Sequence, residues 1–154
     1  AAFEQIVASA RAYQPDAQIE GALVQQQVRG GAEMLLGATN EPGLGPVVVF
    51  GMGGVLAEAL GDVAMRAAPV DAAEARAMIG ETRAARVLAG WRGGPPLDIP
   101  ALAEAIVRVS QLAWLLRDQV AAIDINPLIV LPAGQGAVAV DALIVRSAPT
   151  DLAC

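Results

Sequence analysis

Apolar positions recur at two periods along this chain, and the switches between the periods outline its elements. Residues 1–13 place Phe3, Ile6, Val7 and Ala10 on one helical face, and Gln14-Pro15-Asp16 ends that helix. Ala22 to Val28 reads as a strand, Arg29-Gly30-Gly31 as a turn, and Ala32 to Thr39 as the next strand. Asn40-Glu41-Pro42-Gly43 is a second turn, and the continuous apolar run Gly45 to Phe50 predicts a buried strand. Short turns between consecutive strands predict an antiparallel meander. Residues 55–60 read as a short helix or strand, and 61–69 as a strand closing at Pro69. Asp71 is a fitting N-cap for a helix over 72–79, and a second helical stretch covers 82–88. After a Gly- and Pro-rich loop at 90–96, Asp98 or Pro100 starts a helix over 99–117, with Leu102, Ile106, Val109, Leu112, Ala113 and Leu116 at helical spacing. Strands at 120–131 and 136–146 flank Pro132-Ala133-Gly134-Gln135-Gly136, and 147–154 reads as a frayed tail. Strands segregate from helices, which predicts an α+β fold with a mixed or antiparallel sheet and helices packed on one face.

Composition narrows the functional classes. The chain has 154 residues, enough for one domain with a real core, and 55% of them are hydrophobic against 17% charged. The core must be aliphatic, because only two Trp, one Tyr and two Phe are present. All ten basic residues are Arg, which with the abundant Ala fits a GC-rich genome. A net charge of −6, with no basic stripe and no interleaved aromatics, argues against nucleic-acid binding. Apolar runs are interrupted well before the ~20 residues of a membrane span. No basic-then-apolar leader opens the sequence, and the single Cys stands last, so a cytoplasmic protein is the simplest reading. The absence of His and Lys excludes a His-ligated zinc, a Ser-His-Asp triad, a Schiff-base lysine and a P-loop lysine. Phosphoryl chemistry would have to rely on Mg²⁺, Arg, backbone amides or residues from elsewhere.

Four segments carry candidate chemistry. Asp124-Ile125-Asn126-Pro127-Leu128 and the run closing on Asp141 would lie side by side on the final strands, bringing an amide and a carboxylate oxygen toward one point. That is an incomplete but suitable set for Mg²⁺, which prefers oxygen ligands and is completed by water and phosphates. The same residues also fit an ordinary Asx/Pro turn. Gly51-Met52-Gly53-Gly54 could cradle phosphate through backbone amides or simply form a turn or bulge; it matches neither G-x-x-x-x-G-K-[ST] nor G-x-G-x-x-G. Glu58, Asp62 and Arg66 recur every four residues, but the surrounding pattern favours a strand, and Arg66 is either a surface ion pair or a phosphate contact. Gln25-Gln26-Gln27 fits an exposed edge strand or a hinge whose backbone meets a purine edge, and Glu33 begins the following strand as a solvated residue.

Together the motifs resemble a known family. L-V-Q-Q-Q-V, E-M-L-L-G at 33–37, V-V-F-G-M-G-G-V-L-A-E at 48–58, D-V-A-M-R-A-A-P at 62–69, D-I-N-P-L at 124–128 and A-V-D-A at 139–142 are similar, in this order, to the ATP-grasp domain of NDP-forming acyl-CoA synthetases, relatives of the succinyl-CoA synthetase beta subunit. The resemblance covers residues 1–146 and implies the C-terminal lobe of an ATP-grasp fold. The implied reaction interconverts acyl-CoA, ADP and phosphate with acid, CoA and ATP through a phosphohistidine in another domain. Carried over by position, Asn126 and Asp141 hold Mg²⁺, with Asp124 supporting the ion or its waters. Gln25, Gln26 and Val28 belong to the hinge that recognises adenine of ATP or ADP, and Glu33 contacts the ribose. Gly53, Gly54 and Arg66 lie near the phosphates. The implied partners are CoA-binding and CoA-ligase domains of the same protein or of another subunit, with an acyl-CoA or carboxylic acid as substrate. The family's earlier lobe and its histidine are not in these residues, so the segment is expected to be half of a nucleotide site, inactive alone and prone to self-association. The alternative is a ligand-sensing region fused to a lysine acetyltransferase, without ligase activity.

Overall fold

The computed structural model describes residues 2–53 and 61–147. Helix α1 (Ala2–Tyr13) is followed by an extended stretch without regular structure, and then by strands β1 (Ala32–Glu41), β2 (Gly45–Met52) and β3 (Val63–Ala67). Helices α2 (Ala72–Glu81), α3 (Ala84–Leu88) and α4 (Ile99–Leu115) come next, with a single 3₁₀ turn at Trp91–Gly93. The chain ends on β4 (Val120–Val130), β5 (Ala137–Ala139) and β6 (Ala142–Arg146). All strand pairings are antiparallel, in the order β3-β2-β1-β4, with β5 and β6 both paired to β4. The helices cover one face of this sheet, so the α+β architecture read from the pattern is the one observed. Among the described residues no helix is long and apolar enough to cross a membrane.

The core lies between the sheet and the helices. Alternation along each strand sends Met34, Leu36 and Ala38, Val48 and Phe50, and Leu128 and Val130 to the helix side, where α4 meets them with Leu102, Ile106 and Val109. Ser110 is fully buried and satisfied: its Oγ accepts from Val70 N at 3.1 Å and donates to Val107 O at 2.8 Å. The start of α2 follows from Asp71, whose carboxylate accepts from Ala73 N and Glu74 N at 2.7 and 2.8 Å while the Glu74 carboxylate accepts from Asp71 N at 3.2 Å.

Asp98 ties the longest helix to the last hairpin. One oxygen caps α4 by accepting from Ala101 N at 3.1 Å, and the other accepts from Gly136 N at 2.9 Å in the turn before β5. The bond from Gly136, then that from Ala101, holds this carboxyl below the ordinary aspartate range, against the opposing effect of burial.

Three elements differ from the sequence pattern. Ala22 to Val28 forms no strand: no ladder is offered to it among the described residues, and Leu23 and Val24 stand 85% and 94% exposed. Helix α1 forms over the expected residues, but none of them is buried. The strand expected over 136–146 is interrupted at Val140 and Asp141, giving β5 and β6. The segment 55–60 lies outside the described residues.

Two stability measurements test this packing. Phe50→Ala, at a fully buried position, is expected to cost about 3–5 kcal/mol in urea unfolding, whereas Phe3→Ser on the exposed α1 is expected to stay within about 0.5 kcal/mol. Because the folded pKa of Asp98 is depressed, its contribution is complete above the unfolded value of about 3.9 and is lost as pH falls through the lower folded value. The urea midpoint should therefore fall across that acid window, and Asp98→Asn should flatten the decline.

Candidate functional site

A one-residue irregularity in β4 sorts the side chains. β1 offers Leu35 alone between Met34 and Leu36, while β4 offers both Asn126 and Pro127 between their partners Leu128 and Ile125. This is a β-bulge. Without it, alternation would put Ile123 on the face opposite Leu128 and Val130; with it, all three are buried under the helices. Asp124 and Asn126 are correspondingly directed to the helix-free face, and both are exposed. The Asn126–Pro127 peptide is cis.

The neighbouring strand matches the irregularity. Leu128 pairs with Ala139 and Ile125 with Ala142, which sets Asn126 directly opposite Asp141. Asn126 N donates to Asp141 O at 3.2 Å, and Val140 N donates to Pro127 O at 3.1 Å. Directly opposed residues share a face, with Cβ atoms about 4.5–5.5 Å apart. The expected pair is therefore adjacent and faces the same side, and Asp124 stands on that side two residues along β4.

The electrostatics of this face are uncompensated. Among the described residues, Glu81 and Glu104 pair with Arg66 and Arg108. No hydrogen bond or ion pair engages the side chains of Glu33, Asp124, Asn126 or Asp141 there. No group of three or more His, Cys, Asp or Glu among the described residues forms a self-sufficient metal cluster. Two carboxylates and an amide, all oxygen donors open to solvent, fit a hard divalent cation that keeps water and takes further oxygens from a phosphate ligand.

The other expected residues divide. Glu33 is exposed on β1 and, paired with Ile129, lies on the helix-free face, roughly 10 Å along the strands from Asn126. Gln25, Gln26 and Val28 line a groove of about 220 Å³ with Val138, Ala139 and Val140, immediately before Asp141. The segment thus approaches the site as an extended chain rather than as a ladder strand.

Gly53 does not act as a free amide donor, because its N–H bonds Glu33 O at 2.9 Å. A Cβ there would sit 2.9 Å from the carbonyl carbons of Glu33 and Met34, so glycine serves a close strand crossing. Gly51 and Met52 belong to β2 and not to a loop, and Gly54 lies outside the described residues, as does Glu58. Arg66 is on the wrong side for the expected phosphate contact. It pairs with buried Val48 in the register, so alternation turns it to the helix face, where its guanidinium meets Glu81 at the end of α2 and donates to Met65 O at 2.8 Å.

Gly37 was not singled out from the pattern. It pairs with Asp124, and a Cβ there would meet Ile123 O at 2.9 Å and Asp124 Oδ1 at 3.8 Å, so its bare backbone leaves room beside that carboxylate. Its signal is a glycine inside an otherwise apolar strand. For Gly53, the close crossing makes a direct expectation: Gly53→Ala should destabilise the fold by about 1–3 kcal/mol in urea melts, through clash with β1.

The fold has relatives among known proteins. The beta subunit of acetate–CoA ligase [ADP-forming] II from Pyrococcus furiosus is 41% identical over 93% of this chain, which spans 61% of that protein. Acetate–CoA ligase [ADP-forming] I from Archaeoglobus fulgidus is 43% identical over 89% of the chain, which spans 20% of it. Among solved structures, dinucleotide forming acetyl-coenzyme A synthetase 1 of Ca. Korarchaeum cryptofilum, in complex with coenzyme A, Ca-AMPCP and HgCl⁺, superposes with a TM-score of 0.81 at 37% identity, over 95% of this chain and 62% of that one. A family model described as an ATP-grasp domain matches residues 1–145. The antiparallel sheet with helices on one face is thus the fold of these relatives, and the chain belongs to the ATP-grasp domain family.

Proposed function

We propose that this chain is the magnesium- and nucleotide-binding lobe of an ADP-forming acid–CoA ligase. The observation that carries the reading is the opposed pair Asn126 and Asp141, exposed, unpartnered and on the helix-free face beside Asp124. Relatives with this fold supply the class: their names are ADP-forming ligases, and two of the solved structures hold Mg-AMPPCP or Ca-AMPCP.

Asn126 and Asp141 would hold the cation, with Asp124 orienting its waters. When bound, Mg²⁺ supplies charge neutralisation at phosphate oxygens. The chain's own residues do the rest of the binding. The extended backbone at Gln25 to Val28 would present unpaired N–H and C=O groups to the adenine edge. The carboxylate of Glu33 would accept from ribose hydroxyls, and the apolar strand surface around Leu35 would seat the flat base. Positioning and charge compensation are the main demands of phosphoryl transfer, and they need no nucleophile from this chain. A chain without His cannot carry a phosphohistidine, so that residue would come from a CoA-ligase domain of the same protein or of another subunit.

The acid is not set by this segment. Relatives at 41–42% identity are named for different acids, 4-hydroxybutyrate in one and trans-ferulate in another. Similar sheets therefore serve dissimilar acyl groups, and acyl selection would reside in other domains.

Titration calorimetry tests the reading. Mg-ADP is expected to bind the protein, EDTA to weaken that binding, and Asp141→Ala to weaken it by about tenfold or more, the usual scale for losing a charged ligand group. Because Asp141 is exposed, the variant should keep its thermal midpoint. Equal Mg-ADP affinity in the variant and the parent protein would overturn the assignment.

A further inference from the structure

The two edges of the sheet are protected differently. β3 forms one edge, and side chains tie it to the helices. The guanidinium of Arg66 pairs with Glu81 on α2 and takes Met65 O at 2.8 Å, while Asp62, just before the strand, accepts from Arg83 N at 2.7 Å. β6 lies on the other edge, along residues 120–125 of β4, and nothing comparable covers it. Among the described residues, no side chain bonds its backbone. Its ladder to β4 uses alternate residues, so the N–H and C=O groups of the others point outward.

The side chains of β6 are as open as its backbone. All five residues, Ala142-Leu143-Ile144-Val145-Arg146, are exposed, with Leu143, Ile144 and Val145 at 60%, 52% and 43%. The strand contains no Pro, no Lys and no extra residue of its own, the features that usually blunt an edge. Its charges are divided between its ends: Asp141 precedes it and Arg146 closes it, and Arg146 has no ion partner among the described residues.

We propose that β6 is a self-association edge, pairing antiparallel with β6 of a second copy about a two-fold axis at Ile144. That register is chosen by the sequence. Ile144 meets Ile144, Leu143 meets Val145, and Arg146 meets the small Ala142, next to the other copy's Asp141. Shifting it two residues one way sets Asp141 against Val145, and two residues the other way sets Arg146 against Ile144. A parallel pairing would bring the two Arg146 ends together. The antiparallel form therefore matches apolar with apolar and opposes the charged ends, and it joins two sheets edge to edge with their helix-free faces open. A five-residue edge buries little area, so the dimer is expected to be reversible and concentration-dependent.

Sedimentation equilibrium in EDTA, without nucleotide, tests this apart from the metal and nucleotide reading. The average mass is expected to rise from monomer toward dimer with concentration. Ile144→Lys, which sets two ammonium groups against each other at the axis, should weaken association by about tenfold or more. Phe3→Ser, at an equally exposed apolar position on α1, should leave it unchanged. Opposed strand residues lie within disulfide reach, with Cα atoms about 4.5–5.5 Å apart. In a Cys154→Ser background, Ile144→Cys should therefore form a covalent dimer under mild oxidation, and Phe3→Cys should not. This readout needs no destabilising substitution. A monomer at every concentration, a dimer that survives Ile144→Lys, or cross-linking no greater at position 144 than at position 3 would overturn the pairing. Equal loss of association in Phe3→Ser would overturn it in favour of nonspecific apolar contact.

Discussion

The extra residue in β4 is the constraint on which the site depends. A strand has two faces, and a chain that needs aliphatic side chains on the core face along its whole length cannot place acidic groups there without leaving them buried and unpaired. Ile123 and Ile125 precede the bulge, Leu128 and Val130 follow it, and all four pack toward the helices although they are out of step by one. The offset concentrates at Asn126-Pro127, where the chain turns a polar side chain outward. The adjoining strand yields at the same point, between β5 and β6, and this gives Asp141 its place opposite Asn126. The same local departure from regular pairing therefore preserves the core and creates the oxygen pair.

The clamp made by Asp98 extends this order to the turn. Its two oxygens join the N-terminus of α4 to Gly136, so the hairpin that delivers Asp141 is referenced to the helix that forms most of the core. Leu131 N and Gly136 O close the same turn at 3.0 Å, and Asp98 N donates to Leu131 O at 2.9 Å. Helix, turn and strand are thereby held by backbone groups and one buried carboxylate rather than by side chains that a ligand would displace.

Much of this was legible in the residues. The caps at Asp71 and Asp98, the stripe of Leu102, Ile106 and Val109, and the glycine turns each follow a local rule, and the two capped helices formed within a few residues of their expected ends. What the pattern could not supply was long-range. The run Ala22 to Val28 has strand composition, but a strand exists only where a ladder is offered, and no partner among the described residues offers one. Arg66 sits in a motif that implied a phosphate contact, yet a single alternation step assigns it to Glu81. The Gly51–Gly54 run allowed either a phosphate cradle or a turn or bulge, and Gly53 is a crossing point against β1, a distinction that depends on the approach of another backbone. The hairpin pattern already allowed Asn126 and Asp141 to lie side by side, with an ordinary turn as the alternative, but no local rule reveals a bulge that two strands share.

The sheet thus keeps its two obligations apart. Packing residues lie beneath it, and the oxygen donors lie on the side the helices leave open. A lineage can then alter what the open side meets without loosening the interior, and can repack the interior without disturbing the donors. Acid–CoA ligases named for unrelated acids are identical to this chain at about two-fifths of the aligned positions, and a sheet divided in this way is a physical reason such divergence is tolerated.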